Sequence, residues 1–456
     1  ILVWLLTSAF FFFIIGLLDP SDQPIIWLAA EGGNQASPPF VESQQLSSHS
    51  TEIKIKFSGI WASVNESENG IFTTLFLDGY GQSSLYGQPD LPLFTLLSEV
   101  PEGASVRISE FKYVGSTILL ADENLPPTIL PIQALVQKSG TRPDWIPPDE
   151  KAYQSGQYFP GEIVNLLQPY QQRNHHIQPI QISPVLYNPV KGEIQILREV
   201  SFQLDWEEET VPSTIDLNRL QNSGFDDLFS DTIETFVTPE QKSTNGYNPG
   251  DGYLIISPDI FLSDLQPFVV LKQSQGLQVT LTGLSEIGSA TKEAIKNYIQ
   301  NAYDNWENPP VYLLIVGDSN SIPAWPFKSD YYLTHGKNTD LYYATMDGFD
   351  DFVPDIFYGR MPARNSSQLL AMLNKAIAYT RNNGSESWVK KAAFVSSCDS
   401  GNYMIPINTH NYVINQNTTP LGYTGNYPAN PQIGGDKLYC RTNEGADQNI
   451  GSQIIP

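Results

Sequence analysis

The sequence predicts an all-β, sandwich-like domain followed by an α/β domain with a doubly wound parallel sheet. The chain has 456 residues, which is more than one compact core usually holds. Residues 51–210 consist of short alternating stretches interrupted by Pro and Gly, a pattern typical of antiparallel strands and turns. From residue 251 onward, apolar strands alternate with amphipathic helices, which is the order of βαβ units with right-handed crossovers.

The first segment, Ile1–Leu18, is an apolar run without Asp, Glu, Lys or Arg and is about long enough to cross a bilayer. Because neither Met nor a basic leader precedes it, we interpret residues 1–18 as part of a cleaved signal peptide, with an uncleaved membrane anchor as the alternative. Both interpretations predict a secreted or cell-surface protein, with membrane contact only through this segment and only if the segment stays uncleaved. Residues 19–50 are rich in Ser, Gln and Pro and are predicted to be a linker.

The β-rich region is predicted for residues 51–210 because strand-like alternation recurs through it. The clearest strands are Glu52–Phe57, Ser105–Ile108 and Glu193–Leu197. His175 and His176 stand alone in a polar stretch, so we interpret them as surface histidines without a ligand. Residues 211–250 are acidic and polar and predict a second linker.

The α/β domain, residues 251–456, is predicted from strands and helices with recognisable ends. Val311–Val316 is apolar on both faces, as buried parallel strands are. Gly276 predicts the end of the first helix and Ser289 the N-cap of the second. Asn365 and Gln368 predict a capping box for a third helix. The other predicted elements are the strands Tyr253–Ile256, Leu277–Leu281 and Ala392–Ser396, and helices over Ile260–Gln275, over Ala290–Trp306 and up to Arg381.

The charge balance excludes one class of partner. The formal net charge is −24, from 49 acidic and 25 basic residues. Such a surface repels phosphate backbones, so we expect no nucleic-acid partner. Its acidity suits either cation binding or simple solubility. The two cysteines, Cys398 and Cys440, form no disulfide framework, and whether they pair is open from the sequence.

A dense group of acidic residues follows the third strand of the α/β domain. Asp318 ends that strand, at the edge where ligands of parallel sheets gather. Carboxylates that converge must be neutralised by protons, basic partners or a cation. Lys337 and Arg360 are the nearby basic residues, so a Ca²⁺ site and a solvated acidic loop both remain open. The acidic residues downstream are Asp340, Asp347, Asp350, Asp351 and Asp355.

Several ordered motifs resemble the gingipain family of cysteine peptidases, whose catalytic domain is a caspase-like α/β fold. In the α/β domain these are Pro310–Asp318 (PVYLLIVGD), Thr339–Tyr343 (TDLYY) and Pro354–Arg360 (PDIFYGR). The β-rich region is similar to the propeptide of that family at Pro89–Pro92, Phe159–Glu162 and Leu186–Val190. The resemblance implies a caspase-like peptidase domain over residues 251–456 that is incomplete at its C-terminus.

The resemblance also favours a structural calcium ion over a solvated loop. The residues that match the calcium-binding positions of the family are Asp318, Asp351 and Asp355, with backbone oxygens near Asp347 and Val353. Relative to the family pattern, one residue is inserted between Tyr343 and Asp351, so Asp350 is the alternative to Asp351 as a ligand.

The catalytic residues implied by the resemblance are a histidine and a cysteine that we expect beyond residue 456. Within the chain, Asp399 matches the acid that orients the catalytic histidine, although a loop-capping role for Asp399 is equally open. His335 and Cys398 have the right order for a dyad, but His335 lies outside any predicted buried strand and precedes the TDLYY motif, so we disfavour that pair.

The sequence therefore predicts the precursor of a secreted cysteine endopeptidase that acts on proteins or peptides. Its own propeptide would be an intramolecular inhibitor or folding aid. The residues present are expected to have no thiol-peptidase activity by themselves. The alternative is a non-catalytic binding or secretion-associated protein on the same scaffold, since a fold alone does not fix a function.

Overall fold

The computed structural model describes residues 25–30, 36–134, 144–208, 217–230, 250–326, 338–348, 350–382, 384–396, 404–425 and 432–440. The chain divides into two compact units, Ile1–Leu370 and Ala371–Pro456. Segment 1–18 lies outside the described residues, and so do His335, Lys337, Cys398 and Asp399. Within the described ranges, no helix combines the length and the apolarity that spanning a membrane requires.

The N-terminal part of the first unit is built from antiparallel sheets, which confirms the predicted all-β region. Alternation explains the strands: Ile53 and Ile55 are fully buried, whereas Lys54 between them is only partly buried and Lys56 is exposed. The strands are β1 (Ile26–Ala29), β2 (Phe40–Ser47), β3 (Ser50–Lys56), β4 (Gly59–Ser67), β5 (Gly70–Phe76), β6 (Gly81–Gln82), β7 (Pro92–Glu99), β8 (Ala104–Leu119), β9 (Val164–Leu166), β10 (Tyr170–Gln172), β11 (His175–Ile182), β12 (Val185–Asn188) and β13 (Glu193–Glu208).

Three sheets share the buried faces of these strands. Their orders are β1-β4-β5, then β10-β11-β7-β6 with β9 beside β11, and β12-β13-β3-β2 with β8 beside β13. One apolar core includes Ile53 from β3, Leu96 from β7, Ile180 from β11 and Phe202 from β13. This core joins the second and third sheets face to face, as in a sandwich. A short helix, α1 (Glu150–Tyr153), and a 3₁₀ turn at Leu120–Glu123 lie in the connections.

Two strands fall inside the segment 19–50 that the sequence predicts to be a linker. β1 pairs with β4 and buries Leu28, and β2 pairs with β3. Most side chains of β2 are exposed, so backbone hydrogen bonds to one neighbour hold it in place. An edge strand of this kind needs no apolar alternation, which is why its Ser- and Gln-rich sequence resembles a linker.

The C-terminal part of the first unit contains a parallel sheet of order β15-β14-β16-β19, which confirms the predicted α/β architecture. Apolar clusters cover it, and Ile256, Ile295 and Ile315 are fully buried between sheet and helix. Its elements are α2 (Ser223–Ser230), β14 (Gly252–Ser257), α3 (Leu262–Ser274), β15 (Gln278–Gly283), α4 (Leu284–Ile287), α5 (Lys292–Asn305), β16 (Pro310–Val316), β17 (Trp325–Pro326), β18 (Asn338–Thr339) and β19 (Phe357–Met361), with 3₁₀ turns at Leu217–Leu220, Asp259–Phe261 and Leu341–Tyr343.

Two details of this part differ from the sequence prediction. β19, the strand beside β16, lies in the PDIFYGR motif, and its exposed pattern gives no apolar run from which to predict a strand. The second helix, α5, begins after Thr291, whose hydroxyl accepts a hydrogen bond from the Ala294 amide at 3.3 Å. Ser289 instead bonds the Thr291 hydroxyl, so it precedes the cap. Gly276 ends α3 as predicted, with φ of 92°.

A third helix, α6 (Ser366–Thr380), begins at the predicted cap, where the Gln368 amide donates to Asn365 Oδ1 at 3.0 Å. The second unit then continues with β20 (Ala393–Ser396), α7 (Met404–Val413) and β21 (Asp436–Tyr439). β20 and β21 pair in parallel. Cys440, directly after β21, is buried and disulfide-bonded. No cysteine in the described part of the chain is free.

Candidate functional site

Three carboxylates converge in the loop between the Leu341–Tyr343 turn and β19. One ligand atom from each of Asp347, Asp351 and Asp355 lies within 4.8 Å of the others. Asp351 shapes this loop, because its carboxylate accepts hydrogen bonds from the amides of Val353 at 2.8 Å and Asp347 at 3.2 Å. Local side-chain to backbone bonds of this kind are typical of Asp in turns. The loop therefore folds back on itself and brings the three acids together.

Asp355 is the buried member of this acidic cluster. Its two carboxylate oxygens accept hydrogen bonds from the amides of Arg173 and Met346, each at 2.7 Å. Burial nevertheless raises the pKa of Asp355 to about 7. Asp347 is exposed as a residue, but desolvation of its carboxyl group and the charges of Asp355 and Asp351 raise its pKa. Without a cation, these two carboxyl groups therefore keep their protons up to near neutral pH.

One basic group beside the cluster is Lys296 of α5, which the sequence did not indicate. Its amine bonds the Thr345 carbonyl and lies 3.4 Å from the Met346 sulfur. Burial lowers the pKa of Lys296 to about 8, although the cluster carboxylates oppose this shift. About fifty positions separate Lys296 from Thr345, so only tertiary packing reveals the pairing. Arg360, the expected counter-charge, is instead bound to Asp340, at 2.7 Å.

The residues present fit a calcium ion. Ca²⁺ takes roughly 6–8 oxygen ligands and prefers carboxylates and backbone carbonyls. Asp347, Asp351 and Asp355 supply the carboxylates, and Val353 lies in the same loop as a source of a backbone oxygen. Asp351, and not its neighbour Asp350, joins the cluster. A divalent cation would also stabilise the ionised form of both carboxyl groups and so lower their raised pKa values.

Asp318 is not brought together with the other predicted calcium ligands, which are Asp347, Asp351, Val353 and Asp355. It follows the carboxyl end of β16, where it accepts hydrogen bonds from the Asn320 amide at 2.9 Å and from Arg364 at 2.6 Å. These two interactions lower the pKa of Asp318. Because Tyr312 pairs with Phe357, Asp355 lies at the amino end of the parallel sheet. At about 3.3 Å per residue, a strand separates the two acids by roughly 20 Å, so one ion cannot bind both.

The carboxyl edge of the sheet is held by an arginine. Arg360 binds Asp340 through two hydrogen bonds of 2.7 Å and donates to the carbonyls of Gly317 at 2.8 Å and Ile322 at 3.0 Å. Bidentate pairs of this type fix geometry as well as charge. The loop after β16 is therefore ordered at the edge where catalytic groups of parallel sheets gather. Asp399, the candidate acid for that edge, lies outside the described residues.

His175 is buried, contrary to the surface position predicted for it. Its ring nitrogens lie 2.7 Å from Glu99 and 3.1 Å from Asp226, and its ring contacts Phe229. Burial acts to lower the pKa of His175, but the hydrogen bonds to both carboxylates outweigh it, so the pKa is raised. This bridge ties α2 to the β domain. Glu99 and Asp226 come from segments that are distant from His175 in the sequence, so an isolated pair of histidines does not predict these contacts.

Two family models match the chain. Peptidase family C25 matches residues 247–454, and the C25 propeptide matches residues 34–234. The chain is 27% identical over 384 residues to Gingipain R2 of Porphyromonas gingivalis, which covers 81% of this chain and 48% of that relative. It is 26% identical over 400 residues to Lys-gingipain of the same organism, covering 83% of this chain and 22% of the relative. The chain therefore spans about half the length of Gingipain R2.

Two solved structures are also similar. The complex of the pro- and mature domains of RgpB from Porphyromonas gingivalis is 20% identical, with a TM-score of 0.34, covering 43% of this chain and 97% of that chain. The crystal structure of the Arg-specific cysteine proteinase gingipain R is 25% identical, with a TM-score of 0.34, covering 44% of this chain and 43% of that chain.

The propeptide match is followed directly by the peptidase-family match, which defines a class of two-part protein with a C25 propeptide region ahead of a C25 peptidase-family region. The two matches cover most of the chain, in the same order as its β-rich and α/β parts. The chain belongs to peptidase family C25, the gingipain family of cysteine peptidases.

Proposed function

We propose that this chain is part of the precursor of a secreted cysteine endopeptidase that hydrolyses proteins or peptides. The observation that carries the proposal is the C25 peptidase match over 247–454, directly behind the propeptide match over 34–234. The nucleophilic cysteine and the histidine base are proposed to follow residue 456. Their thiolate would attack the peptide carbonyl while the imidazole takes and returns the proton. The apolar segment 1–18 would direct export as a signal peptide.

Within this proposal, Asp399 orients the catalytic histidine. A carboxylate that binds one imidazole nitrogen fixes the tautomer and stabilises the imidazolium that forms during catalysis. The residue would act through the histidine and would not itself react with the substrate.

Calcium is proposed as a structural ion of the acidic cluster, held by Asp347, Asp351 and Asp355. When bound, it would neutralise carboxylates at the amino end of the sheet and fix the loop before β19. The fit rests on the 4.8 Å convergence of the three carboxylates and on the raised pKa values of two of them. Because this edge lies opposite the carboxyl ends of the strands, the ion would support the fold and take no part in peptide-bond cleavage.

The test is hydrolysis of a peptide library by the product of the complete reading frame. We expect turnover that iodoacetamide abolishes, and a fall in kcat of about 10²–10⁴-fold for Asp399→Asn. Glu386→Gln, an exposed acid of the same unit, is the matched control and should keep its activity. A full-length product that folds but hydrolyses no peptide would instead support a non-catalytic role for the scaffold.

A further inference from the structure

A hairpin tip of the propeptide has an unusual residue at its turn. Gln172 of β10 pairs with His175 of β11, so the loop between them is only Arg173 and Asn174. Arg173 has φ of 56°, in the left-handed region where hairpin turns favour Gly or Asn. A long cationic side chain in this conformation persists only where surrounding contacts hold it. Those contacts come from the peptidase domain and from residues 217–230.

The tip enters the amino end of the parallel sheet. The Arg173 amide donates to Asp355 Oδ1 at 2.7 Å, and its guanidinium donates to the carbonyls of Asp355 at 2.9 Å and Pro310 at 3.3 Å. The neighbouring Gln172 side chain donates to the Pro354 carbonyl at 2.8 Å. Arg173 is only 1% exposed, so its charge is removed from water and depends on these partners.

A second segment closes over the guanidinium. The Leu220 carbonyl accepts a hydrogen bond from Arg173 Nε at 2.8 Å, and the guanidinium lies 5.1 Å from the Phe225 ring centre and 5.6 Å from that of Tyr303. Phe225 in turn stacks on Phe357 of β19 at 4.2 Å. The side chain therefore lies in a socket of carbonyls and aromatic rings, which suits a planar delocalised cation better than an ammonium.

Residues 217–230 are themselves bound to the peptidase domain. Arg219 donates to three carbonyls at the end of α5, those of Tyr303, Asp304 and Trp306, at 2.7–3.0 Å. Leu220 belongs to the apolar core under the parallel sheet. The Arg173 socket is thus formed jointly by this segment and by the peptidase domain, and the propeptide tip fills it.

We propose that Arg173 is the anchor residue through which the propeptide docks on the peptidase domain, at the amino end of the sheet and away from its carboxyl edge. Loss of the guanidinium would remove its hydrogen bonds to the carbonyls of Asp355 and Pro310 in the peptidase domain, and the fragments would then bind each other less tightly. The inference rests on the assignment of residues 34–234 as a propeptide, and not on the proposed peptidase activity. The covalent connection through residues 231–249 would then be dispensable for docking.

The experiment uses the full chain with one protease recognition sequence placed within residues 231–249. After the cut, association of the two fragments is measured by size-exclusion chromatography and by the dissociation constant. We expect the wild-type fragments to stay together and Arg173→Met to raise the dissociation constant at least ~100-fold. Arg107→Met, which removes an arginine with a 68% exposed side chain from the same domain, should change it less than ~3-fold.

A second variant covers the case in which Arg173→Met does not fold. Arg173→Lys keeps the charge but loses the planar fork, and should weaken association about 10-fold. Wild-type fragments that separate as soon as the linker is cut would overturn the proposal. So would Arg173 variants that associate as tightly as the wild type. Because the readout is association, a failure of peptide hydrolysis would leave this result unaffected.

Discussion

At the residue scale, the propeptide contains a buried carboxyl group that should limit its stability. Asp90 is 8% exposed, and among the described residues its Oδ1 has no hydrogen-bond partner. Burial raises the pKa of Asp90 from 3.8 to about 7. The folded state therefore keeps a proton that the unfolded chain releases, and stability falls as the pH rises from about 4 to about 7 and remains low above that range.

The variant Asp90→Asn removes this ionisation and should stabilise the β domain at pH 8. The full effect of such a pKa shift is roughly 4 kcal/mol, and the unpaired amide of Asn should reduce the gain to about 2 kcal/mol. Urea unfolding at pH 5.5 and pH 8 measures it, with the exposed Asp78→Asn as control. An unchanged difference between the two pH values would show that the buried carboxyl group is not the cause.

Contacts between individual residues were the feature of this structure that was hardest to predict from the sequence. The acidic cluster is visible in the sequence because Asp347, Asp351 and Asp355 are close along the chain. Its other neighbours are not, because Lys296 comes from a distant helix and Arg173 precedes Asp355 by 182 positions. The family resemblance grouped Asp318 with the cluster as a calcium ligand, whereas the strand β16 places Asp318 at the opposite end of the sheet.

At the element scale, the loop between the Leu341–Tyr343 turn and β19 is the part that calcium should stabilise. At a free Ca²⁺ concentration 100 times the dissociation constant, binding to the folded state alone adds about 2.7 kcal/mol. We therefore expect Ca²⁺ to raise the Tm of the chain and Asp351→Asn to weaken calcium binding at least ~10-fold. Isothermal titration calorimetry and thermal melting with and without a chelator measure both effects.

The adjacent acid provides the control for this prediction. Asp350 is exposed and outside the cluster, so Asp350→Asn should leave both the binding constant and the Tm shift nearly unchanged. Equal effects of the two substitutions would point to a diffuse acidic surface in place of a site. A Tm that does not respond to Ca²⁺ would refute the calcium proposal itself.

Strands and helices were predictable where burial imposes a hydrophobic pattern on the sequence. β3 alternates, and β14 and β16 are apolar on both faces, so their sequences identify them. β2 and β19 have mostly exposed side chains and are held by backbone pairing with a neighbour, which leaves little local signal. Helix ends followed cap chemistry, although for α5 the hydroxyl of Thr291 takes the role expected for Ser289.

At the scale of the whole molecule, the order of a β sandwich and a parallel α/β sheet was predictable from the change of period near residue 251. The way in which the two parts join was not. The apolar contacts that connect Ile177 and Phe225 to Val311 combine residues from three separate stretches of the chain. Long-range packing of this kind depends on the folded geometry, so no local sequence pattern predicts it.

We propose that the nucleophile of this cysteine peptidase follows residue 456. The product of the complete reading frame can be inactivated with a thiol-reactive peptide and the label located by mass spectrometry. We expect one labelled cysteine, encoded after residue 456, with loss of activity in proportion to labelling. A label on Cys398 or Cys440, or full activity after complete alkylation, would contradict it.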